Sequence, residues 1–247
     1  MSTDAQADAR RPATLQLLKP GRLPYDEGLA LQEKLIQDRI DERITDTLVL
    51  LEHPPVITLG RSGAETDIVA APAALEQNGV TVHRIGRGGE ATYHGPGQLV
   101  GYPIIHLYER ARDIRRFVFK LEEVFVRLLS EEYGIAATRD DEHRGVWVEN
   151  EKVTAVGIAI RNRVTMHGFA FNVNTDLSHF SWIIPCGIRD RGQTSLAKLL
   201  GHELDSGVVE GLVERYFREV FGYSVVSGST TSGSASSAES DSGTSAN

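Results

Sequence analysis

The chain has 247 residues, 40% of them hydrophobic, which is enough to bury a core in one large or two small domains. With 34 acidic and 26 basic residues its net charge is −8, which argues against general nucleic-acid binding, because such proteins present a basic face. The only cysteine, Cys186, excludes an internal disulfide, and no apolar run reaches the length of a membrane span. We therefore expect a soluble, cytoplasmic protein.

The two ends of the chain have compositions typical of disorder. Residues 1–13 are mostly polar, and residues 227–247 consist mainly of Ser, Gly, Thr and Ala. Such segments bury too little apolar surface to offset the entropy lost on ordering. We expect disordered tails at both ends and one folded domain over residues 14–226.

The first half of this domain predicts two helices separated by short strands. Asp26 is expected to cap a helix that runs to about Ile40. The clearest helix covers residues 113–133, where apolar side chains recur at helical spacing and Gly134 provides a stop. Strands are predicted at residues 48–51, 80–85 and 99–105.

The second half predicts a β-hairpin, a further strand and two helices. Residues 145–148 and 152–160 alternate as strands joined by a short turn, and residues 164–173 follow as a third strand. Thr194 is expected to cap a short helix through Leu200, and a longer helix covers residues 208–221. Strand pairs with short turns, and helices grouped between them, favour an α+β fold over a regular βαβ array.

A glycine-rich run is the first candidate for a site. It consists of Arg87-Gly88-Gly89-Glu90-Ala91-Thr92-Tyr93-His94-Gly95-Pro96-Gly97-Gln98, and it matches neither the P-loop nor the Gly-x-Gly-x-x-Gly pattern. Its glycines would let backbone N–H groups approach a carbonyl or carboxylate, Arg87 could bind an anion, and Tyr93 could form the wall of an apolar channel. An ordinary glycine turn is the alternative.

Cys186 is a candidate nucleophile. It lies in Pro185-Cys186-Gly187, a setting that suits an exposed bend more than a core. An ordinary thiol has a pKa of about 8.5, so a catalytic cysteine needs a base or a cation nearby. A small buried side chain without catalytic work is the alternative.

Lys152 is the best candidate partner for that thiol, because a nearby cation favours the thiolate. Strict alternation puts Lys152, Thr154 and Val156 on one face of the strand, and Ala155 and Gly157 on the other, where small side chains leave room for a ligand. A solvated turn lysine is the alternative.

Histidines are the other candidate bases, and His53, His94 and His167 lie next to the motifs described so far. Each is individually more typical of a hydrogen-bonding structural residue. The eight histidines and one cysteine show no zinc-like spacing, so no metal site is expected.

Taken together, these motifs resemble the lipoyl/octanoyl transferase (LipB) family over about residues 15–225. The matching segments follow the family's order. They are His53-Pro54-Pro55, the run from Arg87 to Gln98, Gly145-Val146-Trp147-Val148, Lys152 with Gly157-Ile158, His167-Gly168-Phe169-Ala170-Phe171-Asn172-Val173-Asn174, and Ile184-Pro185-Cys186-Gly187.

The resemblance implies a fold similar to biotin and lipoate protein ligases, in which a mixed sheet is flanked by helices and accompanied by a second small sheet. It also implies that the chain moves an octanoyl or lipoyl group from acyl carrier protein to a lysine of lipoyl domains. Those acceptors belong to 2-oxoacid dehydrogenases and to the glycine cleavage H protein. No cofactor is expected, and the protein is expected to be a monomer.

The same resemblance assigns roles to residues. Cys186 would carry the acyl group as a thioester, and Lys152 would lower the pKa of that thiol and manage protons. The substrate site would be lined by Arg87, Gly88, Gly89, Glu90, Ala91, Thr92, Tyr93, His94, Ala155, Val156, Gly157, Gly168, Phe169 and Ala170. The alternatives are an ATP-dependent lipoate or biotin ligase and a non-catalytic acyl-binding module.

Overall fold

The computed structural model describes residues 14–111, 113–184 and 191–224. The predicted tails, at residues 1–13 and 227–247, lie outside the described residues, and so does Cys186. The strands and helices run in the order β1 (Leu15–Arg22), α1 (Tyr25–Ile40), β2 (Asp46–Glu52), β3 (Val56–Leu59), α2 (Pro72–Gln77), β4 (Thr81–Arg84), β5 (Ala91–His94), β6 (Gln98–Ile104), α3 (Leu107–Arg110), α4 (Ile114–Tyr133), β7 (Thr138–Arg139), β8 (Gly145–Val148), β9 (Glu151–Arg161), β10 (Val164–Asn172), β11 (Gly192–Gln193), α5 (Leu196–Leu200) and α6 (Ser206–Phe221).

Two sheets form over the described residues. The large sheet has the order β1-β2-β6-β10-β9-β8-β7, with β11 beside β9, and the small sheet has the order β4-β3-β5. The large sheet is mixed, because β1 pairs in parallel with β2 and β11 with β9, whereas its other pairs are antiparallel. The predicted class, a mixed sheet with flanking helices and a second small sheet, is confirmed.

Helices cover both faces of the large sheet, which explains why its central strands are apolar on both sides. On β2, Leu48 and Leu50 pack with α4 and α6 in one core. Val49 and Leu51 alternate to the other face, where they pack with α1 in a second core. No helix in the described part of the chain is both long and apolar enough to span a membrane.

The helix α4 behaves as its sequence predicts at both ends. The Asp113 carboxylate accepts a hydrogen bond of 2.8 Å from the Arg116 N–H, which caps the first turn. Gly134 ends the helix with φ of 64°, a conformation that costs glycine little.

Two predicted caps are wrong by one or two residues. Helix α1 begins at Tyr25 after Pro24, so Asp26 lies inside the first turn, where its charge still complements the helix dipole. Helix α5 is capped by Ser195, whose hydroxyl accepts from the Lys198 N–H, and not by Thr194. The Thr194 N–H instead donates to the Lys152 carbonyl. The local sequence does not show whether Thr194 or Ser195 caps α5, because the choice depends on the tertiary contact between Thr194 and Lys152.

Candidate active site

A cavity of about 550 Å³, part of it open to solvent, lies between the glycine-rich run and the strands β9 and β10. It brings together segments that are more than 80 residues apart in the sequence. The lining residues are Tyr25, Ile85, Arg87, Gly88, Gly89, Thr92, His94, Val100, Tyr102, Arg144, Lys152, Ala155, Val156, Gly157, His167, Gly168, Phe169 and Ala170.

Small residues from two neighbouring strands form part of the cavity wall. Gly157 of β9 pairs directly with Gly168 of β10, and Ala155 pairs with Ala170. Since a strand advances about 3.3 Å per residue, the wall from Lys152 to Gly157 is about 16 Å long. We call the part of the cavity that lies along this wall the slot.

The glycine-rich run closes the slot from the side. The Gly88 N–H donates to the Ile158 carbonyl at 3.2 Å, which ties the run to β9. A Cβ on Gly157 would lie only 3.1 Å from Cδ of Arg87 and 3.2 Å from the Gly88 carbonyl oxygen. The approach is therefore so close that a side chain at position 157 would force the run to move.

Arg87 organises this run through its guanidinium group. The buried group donates to the carbonyl and hydroxyl oxygens of Thr58, both at 2.9 Å, and to the carbonyls of Gly88 and Glu90. We predicted that Arg87 could bind an anion. These hydrogen bonds join Arg87 to other residues of the protein and hold the glycine-rich run in place. The positive charge of Arg87 lies next to the cavity.

Three residues of the predicted substrate site are not among those that line the cavity: Glu90, Ala91 and Tyr93. Ala91 and Tyr93 alternate with Thr92 and His94 on β5, so they face the core of the small sheet. The Tyr93 hydroxyl lies 2.7 Å from Nδ1 of His179 in that core. Tyr93 therefore packs on the side of β5 away from the slot that we expected it to wall.

A β-bulge decides where Lys152 points. Val146 of β8 pairs with Thr154, but the next residue, Trp147, pairs with Lys152, so that Val153 is the extra residue. Strict alternation had placed Lys152 opposite to Ala155 and Gly157, and that prediction is wrong. The bulge reverses the parity, and Lys152 lines the same cavity as Ala155 and Gly157.

Lys152 is buried, with only 2% of its surface exposed, and its side chain contacts the following groups. Its Nζ donates to the Arg144 carbonyl at 3.1 Å and lies 4.8 Å from the centre of the Trp147 ring. The Arg191 guanidinium stacks on the same ring at 3.8 Å. The solvated turn lysine that we considered as the alternative is therefore excluded.

A chain of buried side-chain amides fixes His94. The Gln98 Nε2 donates to the Tyr93 carbonyl and the Asn172 Oδ1, so the Gln98 Oε1 accepts from Nδ1 of His94 at 2.8 Å. Asn172 in turn donates to the Thr194 carbonyl. His94 consequently carries its proton on Nδ1, which leaves Nε2 as an acceptor.

The histidines around the cavity are held neutral. Burial lowers the pKa of His94 to about 3, with the charge of Arg87 among the smaller causes, and burial followed by Arg87 lowers the pKa of His167 to about 4. His53 donates from Nδ1 to the Leu23 carbonyl and accepts at Nε2 from the Tyr102 hydroxyl, so both of its nitrogens are occupied. His53 is thus a structural residue, and His94 and His167 add no charge to the cavity.

The neutral state of these histidines predicts a loss of stability in acid. The unfolded chain takes up protons below a pH of about 6.5, whereas folded His94 and His167 do not until about 3 and about 4, so stability falls with pH in this window. Each histidine should lower the free energy of unfolding by about 2 kcal/mol between pH 7.5 and 5. Urea titrations of His94→Gln should show a drop smaller by that amount.

The matched control for this measurement is His202→Gln, which changes an exposed histidine. Its drop between pH 7.5 and 5 should equal that of the wild type. An equal drop in His94→Gln and the wild type would show that His94 is not held neutral by the fold.

Several residues at the site were not predicted. Tyr25, Tyr102 and Arg144 line the cavity from other elements, and Glu122 of α4 lies behind Lys152. Glu122 carried a sequence signal, since it is a carboxylate beside the apolar positions of an amphipathic helix. Within the described residues, no group of three or more His, Cys, Asp or Glu side chains could hold a metal ion.

Comparison with the sequences of known proteins agrees with the family resemblance of the sequence motifs. A family model described as the lipoyl protein ligase A/B catalytic domain matches residues 24–218. An octanoyltransferase of Caldicellulosiruptor saccharolyticus is 56% identical over 199 residues, which are 80% of this chain and 85% of that protein.

Comparison with solved structures extends the likeness to the fold. Lipoate-protein ligase A bound with ATP superposes with a TM-score of 0.67 at 18% identity, and the match covers 90% of both chains. Biotin protein ligase from Aquifex aeolicus in complex with biotin and ATP gives a TM-score of 0.52 at 18% identity, over 84% of this chain and 70% of that one. At these identities the likeness concerns the fold alone.

Proposed function

Because this chain belongs to the lipoyl/octanoyl transferase (LipB) family, we propose that it moves an octanoyl group from acyl carrier protein to a lysine of lipoyl domains through a thioester on Cys186. Family membership makes the chain an acyltransferase of protein lipoylation. The carrier-protein donor, the thioester intermediate and the residue roles are the parts that we add. The acceptors would be the lipoyl domains of 2-oxoacid dehydrogenases and the glycine cleavage H protein.

The observation that carries this proposal is that Lys152, the glycine-rich run and a strip of small residues line one cavity. The strip consists of Ala155 and Gly157 of β9 with Gly168 and Ala170 of β10. The wall from Lys152 to Gly157 is about 16 Å long, and apart from Arg87, Arg144 and Lys152 the cavity is lined by neutral groups, which suit a hydrocarbon chain. Lys152 lies at one end of this strip. In the proposed reaction the thioester carbonyl would bind at this end, next to the Lys152 ammonium. Of the predicted substrate-site residues, Arg87, Gly88, Gly89, Thr92, His94, Ala155, Val156, Gly157, Gly168, Phe169 and Ala170 line the cavity.

Chain connectivity allows Cys186 to reach this end of the cavity. Arg191 stacks on the Trp147 ring that Lys152 also contacts, and Gln193 pairs with Lys152 across β11 and β9. Five residue steps separate Cys186 from Arg191, and an extended chain of that length spans at most about 18 Å. The proposed contact between Cys186 and Lys152 is therefore compatible with the path of the chain.

The reaction would proceed in two acyl transfers. The Cys186 thiolate attacks the carrier thioester, the carrier thiolate leaves and takes a proton, and the octanoyl group is then bound to the enzyme. The amine of the acceptor lysine attacks this second thioester, forms the amide and releases the Cys186 thiolate. The first step exchanges one thioester for another and the second forms an amide, so neither step needs a nucleotide.

Lys152 would assist both steps as a cation and a proton carrier. Its ammonium would stabilise the Cys186 thiolate, since an opposite charge within a few Å typically lowers the pKa of an acid by about 1–3 units. The acceptor lysine, with an ordinary pKa of about 10.4, must lose a proton before it attacks. The carrier thiolate would take its proton from Lys152, which leaves Lys152 neutral and able to accept the proton that the acceptor lysine loses before its attack. The second proton, lost as the amide forms, would pass to the released Cys186 thiolate, so that Lys152 and Cys186 would titrate as a pair.

The charges at the cavity also suit an acidic donor. Although the chain carries a net charge of −8, Arg144 is exposed and lines the cavity next to Lys152. Arg144 is therefore a candidate contact for an acidic carrier. We place the reaction in a reducing compartment such as the cytoplasm, because the catalytic thiol must stay reduced, and we expect a monomer to carry it out.

The experiment that tests the function is transfer with and without ATP. The purified chain should move octanoyl from octanoyl carrier protein to a lipoyl domain at the same rate in both conditions, which intact mass spectrometry of the acceptor measures. A requirement for ATP and free octanoate would instead identify an ATP-dependent ligase. Octanoyl binding without any modified acceptor would identify a non-catalytic module.

A further inference from the structure

Glu122 is a buried carboxylate that neither the sequence motifs nor the proposed mechanism uses. It lies on the inner face of α4, with neighbours such as Leu121 and Phe125 in the apolar core, and only 1% of its surface is exposed. A carboxylate at such a position is costly unless it is hydrogen-bonded and compensated by charge. Its partners therefore indicate why it is there.

One partner is the peptide group between Arg144 and Gly145. The Gly145 N–H donates to Oε1 of Glu122 at 2.9 Å, and the Arg144 carbonyl of the same peptide accepts from Nζ of Lys152 at 3.1 Å. In a trans peptide these two groups point in opposite directions. The peptide thus lies between a carboxylate and an ammonium, with its positive end towards Glu122 and its negative end towards Lys152.

The conformation of Gly145 makes this arrangement possible. Its φ is 132°, and a Cβ there would lie 2.3 Å from the Thr154 carbonyl oxygen. The same hypothetical Cβ would lie 3.4 Å from Cδ and Cε of Lys152, so the lysine stem runs directly over the glycine. The peptide, the lysine stem and the carboxylate are consequently packed as one unit.

The pKa of Glu122 is raised, and the groups around the unit limit that rise. Burial raises the pKa of Glu122, while the Gly145 hydrogen bond and the charges of Arg144, Arg139 and Lys152 oppose that rise. The other charged groups that face the unit are Arg191, which pairs with Asp140 and stacks on Trp147, and Glu123, which pairs with Arg139.

We propose that Glu122 is a positioning residue for Lys152, which it holds beside the cavity through the polarised Arg144–Gly145 peptide. The inference rests on the proposed function, because it assigns Glu122 a role through the lysine that serves Cys186. Hydrogen-bonded groups in a low-dielectric interior polarise one another, so the carboxylate strengthens the carbonyl as an acceptor for the ammonium.

The variant Glu122→Gln tests this role, since an amide oxygen can still accept from the Gly145 N–H while the charge is lost. We expect the alkaline limb of the kcat/KM profile for octanoyl transfer to move down by about one pH unit. The matched control, Glu123→Gln, neutralises the adjacent carboxylate, and its profile should coincide with that of the wild type.

Two further measurements separate the possible failures. Rates are divided by the folded fraction from circular dichroism, so that a loss of folded protein alone leaves the profile in place. In a Lys152→Met background, Glu122→Gln should have no further effect on transfer. An unshifted profile, or effects that add in the double variant, would overturn the role of Glu122 while leaving the function intact. Absence of transfer by the wild-type chain would refute the proposed function itself.

Discussion

Replacing Cys186 by serine is expected to abolish octanoyl transfer, with a loss of about 10³-fold or more. Serine keeps the size of the side chain, but its hydroxyl is a much weaker acid than a thiol and has no dedicated base in the proposed mechanism. A nearby ammonium can stabilise a thiolate at neutral pH, whereas it cannot create a useful fraction of alkoxide. Activity should therefore disappear although the fold is unchanged.

The measurement is intact mass spectrometry after mixing with octanoyl carrier protein in the absence of an acceptor. The wild-type chain should gain one octanoyl group, and neutral hydroxylamine should remove it, as expected of a thioester. Cys186→Ser should show no such gain. Because Cys186 is the only cysteine, the control is Ser181→Ala, which removes an exposed hydroxyl and should acylate like the wild type. An octanoyl adduct on Cys186→Ser would contradict the proposed nucleophile.

Replacing Lys152 by alanine is expected to slow acylation of Cys186 by about 10-fold or more at neutral pH. The loss of a neighbouring ammonium removes the group that stabilises the thiolate, so the reaction of the thiol with iodoacetamide should need a higher pH, by about 1–3 units. The alkylation rate as a function of pH measures this shift directly, without carrier protein or acceptor.

The substitution also leaves the Arg144 carbonyl without its Lys152 donor and opens space beside Trp147. Lys152→Met fills that space without a charge, and it should show the same shift of the alkylation profile. Lys198→Ala is the matched control, because Lys198 is exposed and pairs with Glu151 at the start of the same strand. If the profile of Lys152→Met coincides with that of the wild type, Lys152 does not activate the thiol.

Much of the fold was predictable because its longest elements carry strong local patterns. The helix α4 has twenty residues with apolar spacing, a capping aspartate and a terminal glycine, and it forms with those ends. The hairpin of β8 and β9 was predicted for the same reason. The strands β1, β3 and β5 were missed, because each is short, polar at an edge or part of the glycine-rich run.

The candidate site was predictable in its residue types but less so in its geometry. Lys152 and the glycine-rich run were predicted from the sequence, and Lys152 lines one cavity together with Arg87, Gly88, Gly89, Thr92 and His94. The side of β9 that Lys152 occupies was not, because a bulge depends on the partner strand and not on the strand itself. Glu122 was missed for a related reason, since its partner peptide is more than 20 residues away in the sequence.

By itself, the sequence determined the family, the candidate site residues and the main helices and strands. These depend on side-chain chemistry and on periodicity along one segment, which can be recognised without neighbours. Only the tertiary structure decided which of those residues share a cavity, which face Lys152 and Tyr93 occupy, and that the Arg144–Gly145 peptide lies between Glu122 and Lys152. Each of these depends on the register and packing of segments that are distant in the chain, and no local pattern encodes such contacts.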